Sequence, residues 1–497
     1  MKKIVNSNNK KIFYGILIWI FLFAVGLVKK PLENDTFYTI KIGKLILNNG
    51  IDMLDHFSFH NIAYTYPHWL YDVFIYFIYR LFGYTGMYIS SIVLFLILLF
   101  IMFKLILKFT NNYTVSICAM IVCSLAIANF VTARAQLVSY ILFALEIFFL
   151  ENFIKKNNKL SAIGLILVSL LLANIHVAVW PFFFILFLPY VVEGIISLIK
   201  KKVKKKNKVL LWLDKKFVTD DNINIKYLLL IMLICFMMGL LTPIGDTPYT
   251  YLIKTMQGNS QKYIEEHQML TWLGSPFTII MAVETIFFAI LSKIKIRDLL
   301  LMLGLALMSV MSIRHISLLG LIGSFCFART FTLFLEHFEF NLDKYVLKFL
   351  TKKIVIAISY IIVLIFACIT LTLQNKKDLI DKEFYPTDAV KYIKENIDVS
   401  SMRIFNEYNF GSYLLYNDIP VFIDSRADLY TKQFSGFDYD IFDDYKFVVY
   451  PQTLNFYNIT HILIYKKSVL YNILKNDNTL TLLYEDDYFV FYERGKI

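Results

Sequence analysis

Two aspartates lie beside the apolar runs of this sequence, where their carboxyl groups can do chemistry. Asp35 follows the first apolar run in "PLENDTFYTI", and Asp55 lies farther along, after the turn sequence "NNG". A carboxylate can accept a proton from a hydroxyl group as that group attacks another atom. Aspartate also commonly caps a helix N-terminus. The residue type alone therefore leaves both a catalytic and a capping role open for Asp35.

Basic side chains occur in very short connections between apolar runs. Arg134 lies in "VTARAQLVSY", and Arg314 lies in "SIRHISLL", where His315 follows it directly. Arginine at such a position can extend its charged end toward water. It can also bind an anion such as a lipid phosphate through its planar set of N–H donors, and His315 could share that anion.

His68 is a lone histidine in "YPHWLYD". A histidine in such a place more often makes a structural hydrogen bond than acts as a catalyst.

Apolar helices must position these residues. Hydrophobic residues make up 58% of the 497 residues and charged residues only 18%, which is typical of a multi-pass membrane protein. A membrane span needs about 20 apolar residues. The runs that we predict to span are 11–28, 86–103, 113–131, 137–153, 160–175, 177–199, 227–241, 276–291, 299–313, 316–334 and 354–372.

One further run, 69–82, is predicted to lie along the outer membrane surface. It is short, contains Asp72 and Arg80, and is rich in Tyr and Trp, which prefer the membrane interface. If it crossed the membrane, the N-terminal lysines and the lysine-rich loop 200–208 would lie on opposite sides. Lys and Arg concentrate in cytoplasmic loops, so the sequence predicts eleven spans, a cytoplasmic N-terminus and an extracytoplasmic C-terminus.

This topology collects the unusual polar residues on the outer face. Ionisable groups at a bilayer boundary are costly and tend to line a polar cavity. We therefore take His68, Arg134, His176, Arg314 and His315 as candidate substrate-binding residues. The residues predicted on this face are Asp35, Asp52, Asp55, His56, His68, Arg134, His176, Asp246, Glu265, Glu266, His267, Arg314 and His315.

The last part of the chain, 376–497, has the composition of a soluble domain. "PTDAVKYIKENI" and "KSVLYNILKND" are predicted helices, "MRIFNEY", "IPVFIDSR" and "THILIY" are predicted strands, and "TLTLLYEDDYFVFYER" is a predicted terminal hairpin. Asp424 and Arg426 follow one predicted strand end, where α/β folds place binding residues. An internal Arg–Asp salt bridge that fixes the loop explains the same residues equally well.

Several classes of function are disfavoured. The net charge of +12 lies mostly in short loops, as positive-inside topology requires, and indicates no nucleic acid partner. The five cysteines lie in or beside apolar runs without metal-type spacing, so we expect free thiols. The sequence has no P-loop or dinucleotide-binding glycine motif. Glu146 and Glu284 fall near the middle of their spans, where a glutamate is either neutral and hydrogen-bonded between helices or part of a proton relay. A proton relay would support the alternative function, a transporter or lipid flippase of the cell envelope.

The order of several motifs resembles that of bacterial GT-C type membrane glycosyltransferases, which include RgtA/B/C/D-like and protein O-mannosyltransferase-like enzymes. These motifs follow an acidic residue outside the first span and cover nearly the whole chain: "GKLILNNGIDMLDHFSF", "HWL", "ARAQLVSY", "ANIH", "LTPIG", "RHISL" and "NEYNFGSYLLYNDIPVFIDSRADLY".

This resemblance implies a function and a site. It implies transfer of a sugar from a polyprenyl-phosphate carrier to a glycan, lipid or protein acceptor at the outer face of the membrane. It implies that Asp35 is catalytic, with Asp55 as a second acid. In several relatives a Glu follows the first Asp, whereas here Thr36 follows Asp35 in "NDTF". We expect no cofactor; a divalent metal ion held by Asp35 and Asp55 is the less favoured option.

The sequence thus predicts an α-helical multi-pass membrane protein of the GT-C fold with a C-terminal soluble α/β domain. Residues 1–375 form the predicted transmembrane catalytic domain, and residues 376–497 form the predicted extracytoplasmic α/β domain. The expected partners are the polyprenyl-phosphate sugar donor, membrane lipids and an acceptor. A non-catalytic assembly protein of the envelope, with the outer domain as its binding module, is a third hypothesis.

Overall fold

The computed structural model describes residues 7–203, 208–220, 223–269, 276–375 and 377–495. The first lysines of the chain and residues 204–207 of the lysine-rich loop, which the topology prediction uses, lie outside the described residues. The first helices are α1 Ser7–Leu27, α2 Asn34–Asn49, α3 Trp69–Thr110, α4 Tyr113–Ile127, α5 Ala135–Lys156, α6 Lys159–Ile175, α7 Trp180–Lys202, α8 Lys208–Lys216, α9 Ile225–Met237, α10 Thr247–Gln257, α11 Ser260–Tyr263 and α12 Pro276–Leu291.

The remaining elements complete the helical region and add two small sheets, one of two strands (β1 and β2) and one of four. The helices are α13 Ile296–Met311, α14 Ile316–Leu318, α15 Ser324–His337, α16 Leu342–Leu350, α17 Lys353–Asn375, α18 Thr387–Asn396, α19 Tyr408–Tyr416, α20 Lys432–Ser435, α21 Ile441–Lys446, α22 Gln452–Phe456 and α23 Val469–Leu474. The strands are β1 Phe217–Val218, β2 Ile294–Lys295, β3 Ile404–Asn406, β4 His461–Tyr465, β5 Leu480–Glu485 and β6 Phe489–Arg494.

Each of the eleven runs predicted to span the membrane is helical in this structure. Within the described residues, six helical segments are long and apolar enough to cross a membrane: Lys10–Leu27, Trp69–Thr110, Tyr113–Phe130, Ala135–Lys156, Val177–Lys202 and Ile313–His337. Shorter apolar helices occupy Lys159–Ile175, Ile225–Leu240, Ile279–Leu291 and Ala357–Thr370. The chain is thus a helical membrane protein, while the number of spans and their orientation stay predictions.

Helix α3 contains a break at the boundary that the sequence indicated. Gly83 has φ 63° and ψ −159° inside an otherwise helical segment, a conformation that glycine adopts without the steric cost of a Cβ atom. The break separates the helix at 69–82 from the apolar helix that follows. The predicted position of 69–82 on the outer membrane surface stays a prediction.

The chain divides into two compact units, each built from separate segments. Unit 1 comprises Met1–Lys29, Ile89–Thr242 and Glu265–Lys376. Unit 2 comprises Lys30–Tyr88, Pro243–Ile264 and Lys377–Ile497. Two segments that the sequence analysis assigned to residues 1–375 therefore group with the C-terminal segment by their contacts. The division into a catalytic and an extracytoplasmic domain stays a prediction about function.

Unit 1 contains an ion network that is buried except for the partly exposed Asp220. The guanidinium of Arg297 donates to Glu151 at 2.8 and 2.9 Å, to Glu193 at 2.6 Å and to Asp220 at 2.7 Å. Arg329 forms an ion pair with Glu151 at 2.7 Å. Because these charges come from α5, α7, α13 and α15, the network ties four helices together. Burial of such charges is tolerated only when they are paired, so these acids have a structural role.

Unit 2 is organised around a four-stranded sheet with strand order β3-β4-β6-β5. Strands β3 and β4 are parallel, with Ile404 beside His461. Strand β6 runs antiparallel to β4 and to β5, which confirms the terminal hairpin. The predicted helices at α18 and α23 are also confirmed. The predicted strand "IPVFIDSR" is wrong, because its part of the chain forms only an isolated bridge between Val421 and Ser58.

Helix α2 is fixed against the C-terminal segment within unit 2. Phe37 of α2 is fully buried, and its ring centroid lies 5.0 Å from that of Tyr385 and 5.1 Å from that of Tyr413. The side-chain amide of Asn34 donates to the carbonyl oxygen of Tyr408 at 2.9 Å. On another side, a Cβ atom at Gly43 would overlap the backbone of Asp72. These contacts set the position of the helix that begins beside Asp35.

Candidate active site

Asp35 lies in the first turn of α2 and does not occupy its cap position. The N-cap residue is Glu33, which makes no side-chain capping bond. Asp35 is half-buried, and its backbone carbonyl accepts a hydrogen bond from the hydroxyl of Thr39 at 2.8 Å. A carboxylate in the first turn interacts favourably with the helix dipole. Glu33 thus occupies the N-cap position that the capping hypothesis gave to Asp35, and the catalytic role of Asp35 stays a prediction.

Asp55 is buried in a hydrogen-bonded ion pair. One of its carboxylate oxygens accepts from Nη1 of Arg426 at 2.7 Å, and the other accepts from the backbone N–H of Ser58 at 2.9 Å. Arg426 in turn donates to both carboxylate oxygens of Asp424, at 2.9 and 2.7 Å. The guanidinium lies 4.9 Å from the ring centroid of Tyr64. This is the internal salt bridge that was the alternative for Asp424 and Arg426, and it includes Asp55.

These surroundings bear on a possible metal ion. A divalent cation held by Asp35 and Asp55 would need a carboxylate of Asp55 that is not already neutralised. The guanidinium of Arg426 already neutralises Asp55 at 2.7 Å, and the backbone N–H of Ser58 binds its other carboxylate oxygen. Asp55 therefore suits a metal ion poorly.

His68 lies in unit 2, immediately before α3. Its side chain is half-buried, and its backbone carbonyl accepts from the backbone N–H of Asp72 at 2.9 Å. This bond helps to start the helix at 69–82. A substrate-binding role for His68 stays a prediction.

Unit 1 brings together the basic residues of three separate connections. Nη1 of Arg314 lies 3.1 Å from Nε2 of His267, and Nη1 of Arg134 donates to the carboxylate of Glu266 at 3.3 Å. Arg134 precedes α5, His267 ends the short 3₁₀ turn Glu265–His267, and Arg314 lies in the connection between α13 and α14. We call Arg134, His267, Arg314 and His315 the cationic cluster.

Backbone and buried contacts hold the cationic cluster in place. The N–H of Ile313 donates to the carbonyl of Gln268 at 3.1 Å, and the hydroxyl of Ser312 donates to the carbonyl of Glu266 at 3.0 Å. Nδ1 of His315 donates to the carbonyl of Met308 at 3.1 Å, and its ring centroid lies 5.2 Å from that of Phe182. These bonds join the connection at 266–268 to the connection at 312–313, and the joined connections hold the basic side chains in place.

The electrostatics of the cationic cluster favour an anion. Burial and the neighbouring basic groups of Arg314, His315 and Arg134 lower the pKa of His267 to about 3. His267 is therefore neutral at pH 7, and its Nε2 can accept the hydrogen bond from Arg314. Arg134 donates to the carboxylate of Glu266, and Arg314 donates to the neutral ring of His267. Guanidinium groups that are held in place in this way supply charged N–H donors, which are suited to bind a phosphate.

His176 lies at the end of α6, where it is buried and its Nδ1 is 2.8 Å from the hydroxyl of Ser139. Ser139 belongs to α5, the helix that begins directly after Arg134. The structure thus connects His176 to the motif that carries Arg134, while its substrate-binding role stays a prediction.

Sequence reasoning did not select His267, Glu266 or Arg426 as functional partners. His267 and Glu266 were predicted on the same face as the arginines, but nothing local in "IEEHQ" links them to Arg314. The complementary charges of Glu266 and Arg134 are the one signal that could have suggested the pairing. Arg426 is separated from Asp55 by most of the chain, so their contact depends entirely on the fold.

Comparison with solved structures identifies the class of fold. The chain has a GT-C-type fold, as the order of its motifs predicted. It is similar to the Archaeoglobus fulgidus oligosaccharyltransferase tethered with an acceptor peptide, with a TM-score of 0.52 and 10% identity over 97% of this chain and 74% of that chain.

The match with a second solved structure covers almost the whole length of both proteins. ArnT from Cupriavidus metallidurans, bound to undecaprenyl phosphate, matches with a TM-score of 0.53 and 8% identity over 97% of each chain. The sequence matches no protein-family model and no curated protein sequence. At these identities the likeness shows the fold alone.

The shifted pKa of His267 predicts a pH dependence of stability. The folded value of about 3 lies below the ordinary 6.5, so the unfolded chain binds more protons between these two values. The stability that neutral His267 contributes is complete above pH 6.5 and is lost as the pH falls toward 3, by at most about 1.4 kcal/mol per pH unit. The midpoint of thermal unfolding, measured from pH 7 to pH 4.5, should fall less steeply in His267→Gln than in the wild type.

The matched control is His337→Gln, which replaces an exposed histidine of the same unit. It should keep the wild-type slope. Equal slopes for the wild type and His267→Gln would contradict the electrostatic account of the cationic cluster.

Proposed function

We propose that this protein is an integral membrane glycosyltransferase that moves a sugar from a polyprenyl-phosphate carrier to an acceptor at the outer face of the membrane. The observation that carries the proposal is the cationic cluster, in which Arg134, His267 and Arg314 converge from three connections. The GT-C-type fold supports it, since one solved structure of similar fold has undecaprenyl phosphate bound.

The phosphate of the donor is the proposed ligand of the cationic cluster. As the bond between the anomeric carbon and the phosphate oxygen breaks, negative charge grows on the lipid phosphate. Arg314 and Arg134 neutralise this charge through fixed N–H donors, and such stabilisation is worth most where charge develops in the transition state. When the phosphate is bound, its charge also favours a proton on His267.

The acceptor hydroxyl is the proposed nucleophile, and Asp35 is the proposed base. The hydroxyl oxygen attacks the anomeric carbon, its proton passes to the carboxylate of Asp35, and the lipid phosphate leaves. The carboxylate lies in the first turn of a helix that is held by buried aromatic contacts. Such rigid support is what a positioned base requires. The reaction needs no metal ion, because the arginines supply the positive charge.

Asp55 has a structural role in this mechanism and not a catalytic one. Its ion pair with Arg426 fixes the loop after α2 to the segment around Asp424 within unit 2. A buried carboxylate in such a pair stabilises structure, and removal of one partner leaves the other charge uncompensated.

The transporter alternative is not favoured. Glu146 is fully buried and both of its carboxylate oxygens lack a hydrogen-bond partner among the described residues. Glu284 is exposed on its helix, so the two acids do not share an interior environment. Transport sites usually combine polar groups near the midplane with discontinuous helices.

Replacement of Arg314 by alanine should weaken use of the donor. The loss of charged hydrogen bonds to a phosphate costs about 1.5–3 kcal/mol, which corresponds to an increase of about tenfold or more in KM for the donor. Initial rates with a radiolabelled polyprenyl-phosphate sugar in proteoliposomes measure this. Lys344→Ala, which removes an exposed charge of α16, is the matched control. An unchanged donor KM in folded Arg314→Ala would refute the phosphate-binding role.

Replacement of Asp35 by asparagine should abolish transfer and leave the fold intact. Loss of a general base lowers the rate by about 10²–10⁴-fold, and Asp35 is a half-buried residue of a helix that is anchored elsewhere. The same transfer assay and the midpoint of thermal unfolding give the two readouts.

Asp55→Asn is the informative comparison for this experiment. It should lower the unfolding midpoint, because Arg426 loses its charged partner. Near-normal transfer by a well-folded Asp35→Asn protein would rule out the proposed mechanism.

A further inference from the structure

The sheet of unit 2 carries a pocket at the carboxyl ends of its two parallel strands. Glu407 follows the last residue of β3 directly, and Tyr465 is the last residue of β4. Open α/β sheets place ligands outside the carboxyl ends of neighbouring parallel strands. The cavity has a volume of about 240 Å³. Its lining residues, which define the β3–β4 pocket, are Phe384, Glu407, Asn409, Tyr465, Lys467 and Ser468.

The aromatic wall of the β3–β4 pocket is rigid. Tyr465 is only 5% exposed, and its ring centroid lies 5.2 Å from that of Phe410 and 4.8 Å from that of Phe489. Its hydroxyl donates to the backbone carbonyl of Phe384 at 2.8 Å, which joins the two aromatic residues of the pocket. Phe384 itself is 53% exposed, so its ring is available to a ligand.

Polar groups of different kinds surround this wall. The carboxyl of Glu407 accepts a hydrogen bond from the backbone N–H of Tyr465 at 3.2 Å and lies beside Ser468. Burial raises the pKa of Glu407 to about 7, so at neutral pH this group can both donate and accept. The ammonium of Lys467 lies 5.8 Å from the ring centroid of Phe384 and 5.2 Å from that of Tyr465. Asn409 adds an exposed carboxamide.

This combination selects a class of ligand. The carboxyl of Glu407 disfavours an anion, the positive charge of Lys467 disfavours a cation, and the four polar side chains disfavour a purely apolar molecule. A sugar ring presents hydroxyl groups that both donate and accept, together with a C–H face that packs on an aromatic ring. The cavity volume of about 240 Å³ is smaller than the roughly 300–1,000 Å³ of pockets that bind drug-sized ligands. A cavity of this size suits a single sugar ring.

We propose that the β3–β4 pocket is a saccharide-binding site that holds one uncharged sugar residue of a glycan, with Phe384 under the ring and Glu407, Asn409 and Lys467 bonded to its hydroxyl groups. Binding of the sugar follows from the geometry of unit 2. The further step, that this glycan is the acceptor of the transferred sugar, rests on the proposed function.

Saturation-transfer NMR on the purified full chain in lipid nanodiscs tests the site. The probes are the methyl glycosides of glucose, galactose, mannose, arabinose and N-acetylglucosamine. At least one of them should give a saturable signal with the wild type, and its affinity should fall about tenfold or more in Phe384→Ala. Phe447→Ala, which removes another exposed phenyl ring of unit 2, should bind as the wild type does.

Further variants keep the proposal falsifiable. Lys467→Ala changes an exposed side chain and should also weaken binding, so the site is tested even if Phe384→Ala fails to fold. The proposal is overturned if the wild type binds none of the five glycosides, or if Lys467→Ala and folded Phe384→Ala bind them as the wild type does. It is also overturned if ethanolamine binds in the pocket and no glycoside does.

A transfer assay on the same preparation separates the two proposals. Consumption of the lipid-linked donor without glycoside binding contradicts the saccharide site alone. Glycoside binding that depends on Phe384, in a protein that consumes no donor, supports the site and contradicts the proposed function alone.

Discussion

Charge that is removed from water must be paired, and this constraint decides which ionic residues of the protein are structural. Arg297 lies inside unit 1 with carboxylates on each of its donor groups. Arg426 lies inside unit 2 between Asp55 and Asp424. In both places the desolvation cost is offset by bidentate or multiple pairing. In the cationic cluster, Arg134 donates to Glu266, whereas Arg314 donates to the neutral ring of His267. A guanidinium that donates to a neutral group can also bind an anion, and for this reason we assign the cationic cluster to an anionic ligand.

The helical architecture could be predicted because long apolar runs have one solution in a bilayer. All backbone polar groups of a span must be satisfied within the helix, so each predicted run is a helix in the structure. The helix at 69–82 could be distinguished from the apolar run 86–103 by its charged residues and its Tyr and Trp content, and the break at Gly83 lies between the two. The four-stranded sheet of unit 2 was harder to predict, since "IPVFIDSR" has the β-branched and apolar residues of a strand. In the fold that segment makes only one isolated bridge, and tertiary context overrides such local preference.

The candidate site could be predicted in part. Topology placed Arg134, Arg314 and His315 on one face because the lysines of the other loops fix the orientation. The pairing of Arg314 with His267 could not be predicted, because it depends on hydrogen bonds between residues 266–268 and residues 312–313. For Asp55, the resemblance implied a role as a second acid, whereas the fold places its carboxylate in an ion pair with Arg426.

The claim on which the account depends is that the cationic cluster binds the phosphate of a polyprenyl lipid. The most direct measurement is a cryo-electron microscopy structure of the full chain in nanodiscs with undecaprenyl phosphate. The account predicts that phosphate oxygens lie within about 3 Å of donor nitrogens of Arg314 or Arg134. A phosphate that is bound elsewhere, with the cationic cluster contacting only protein groups, would contradict it.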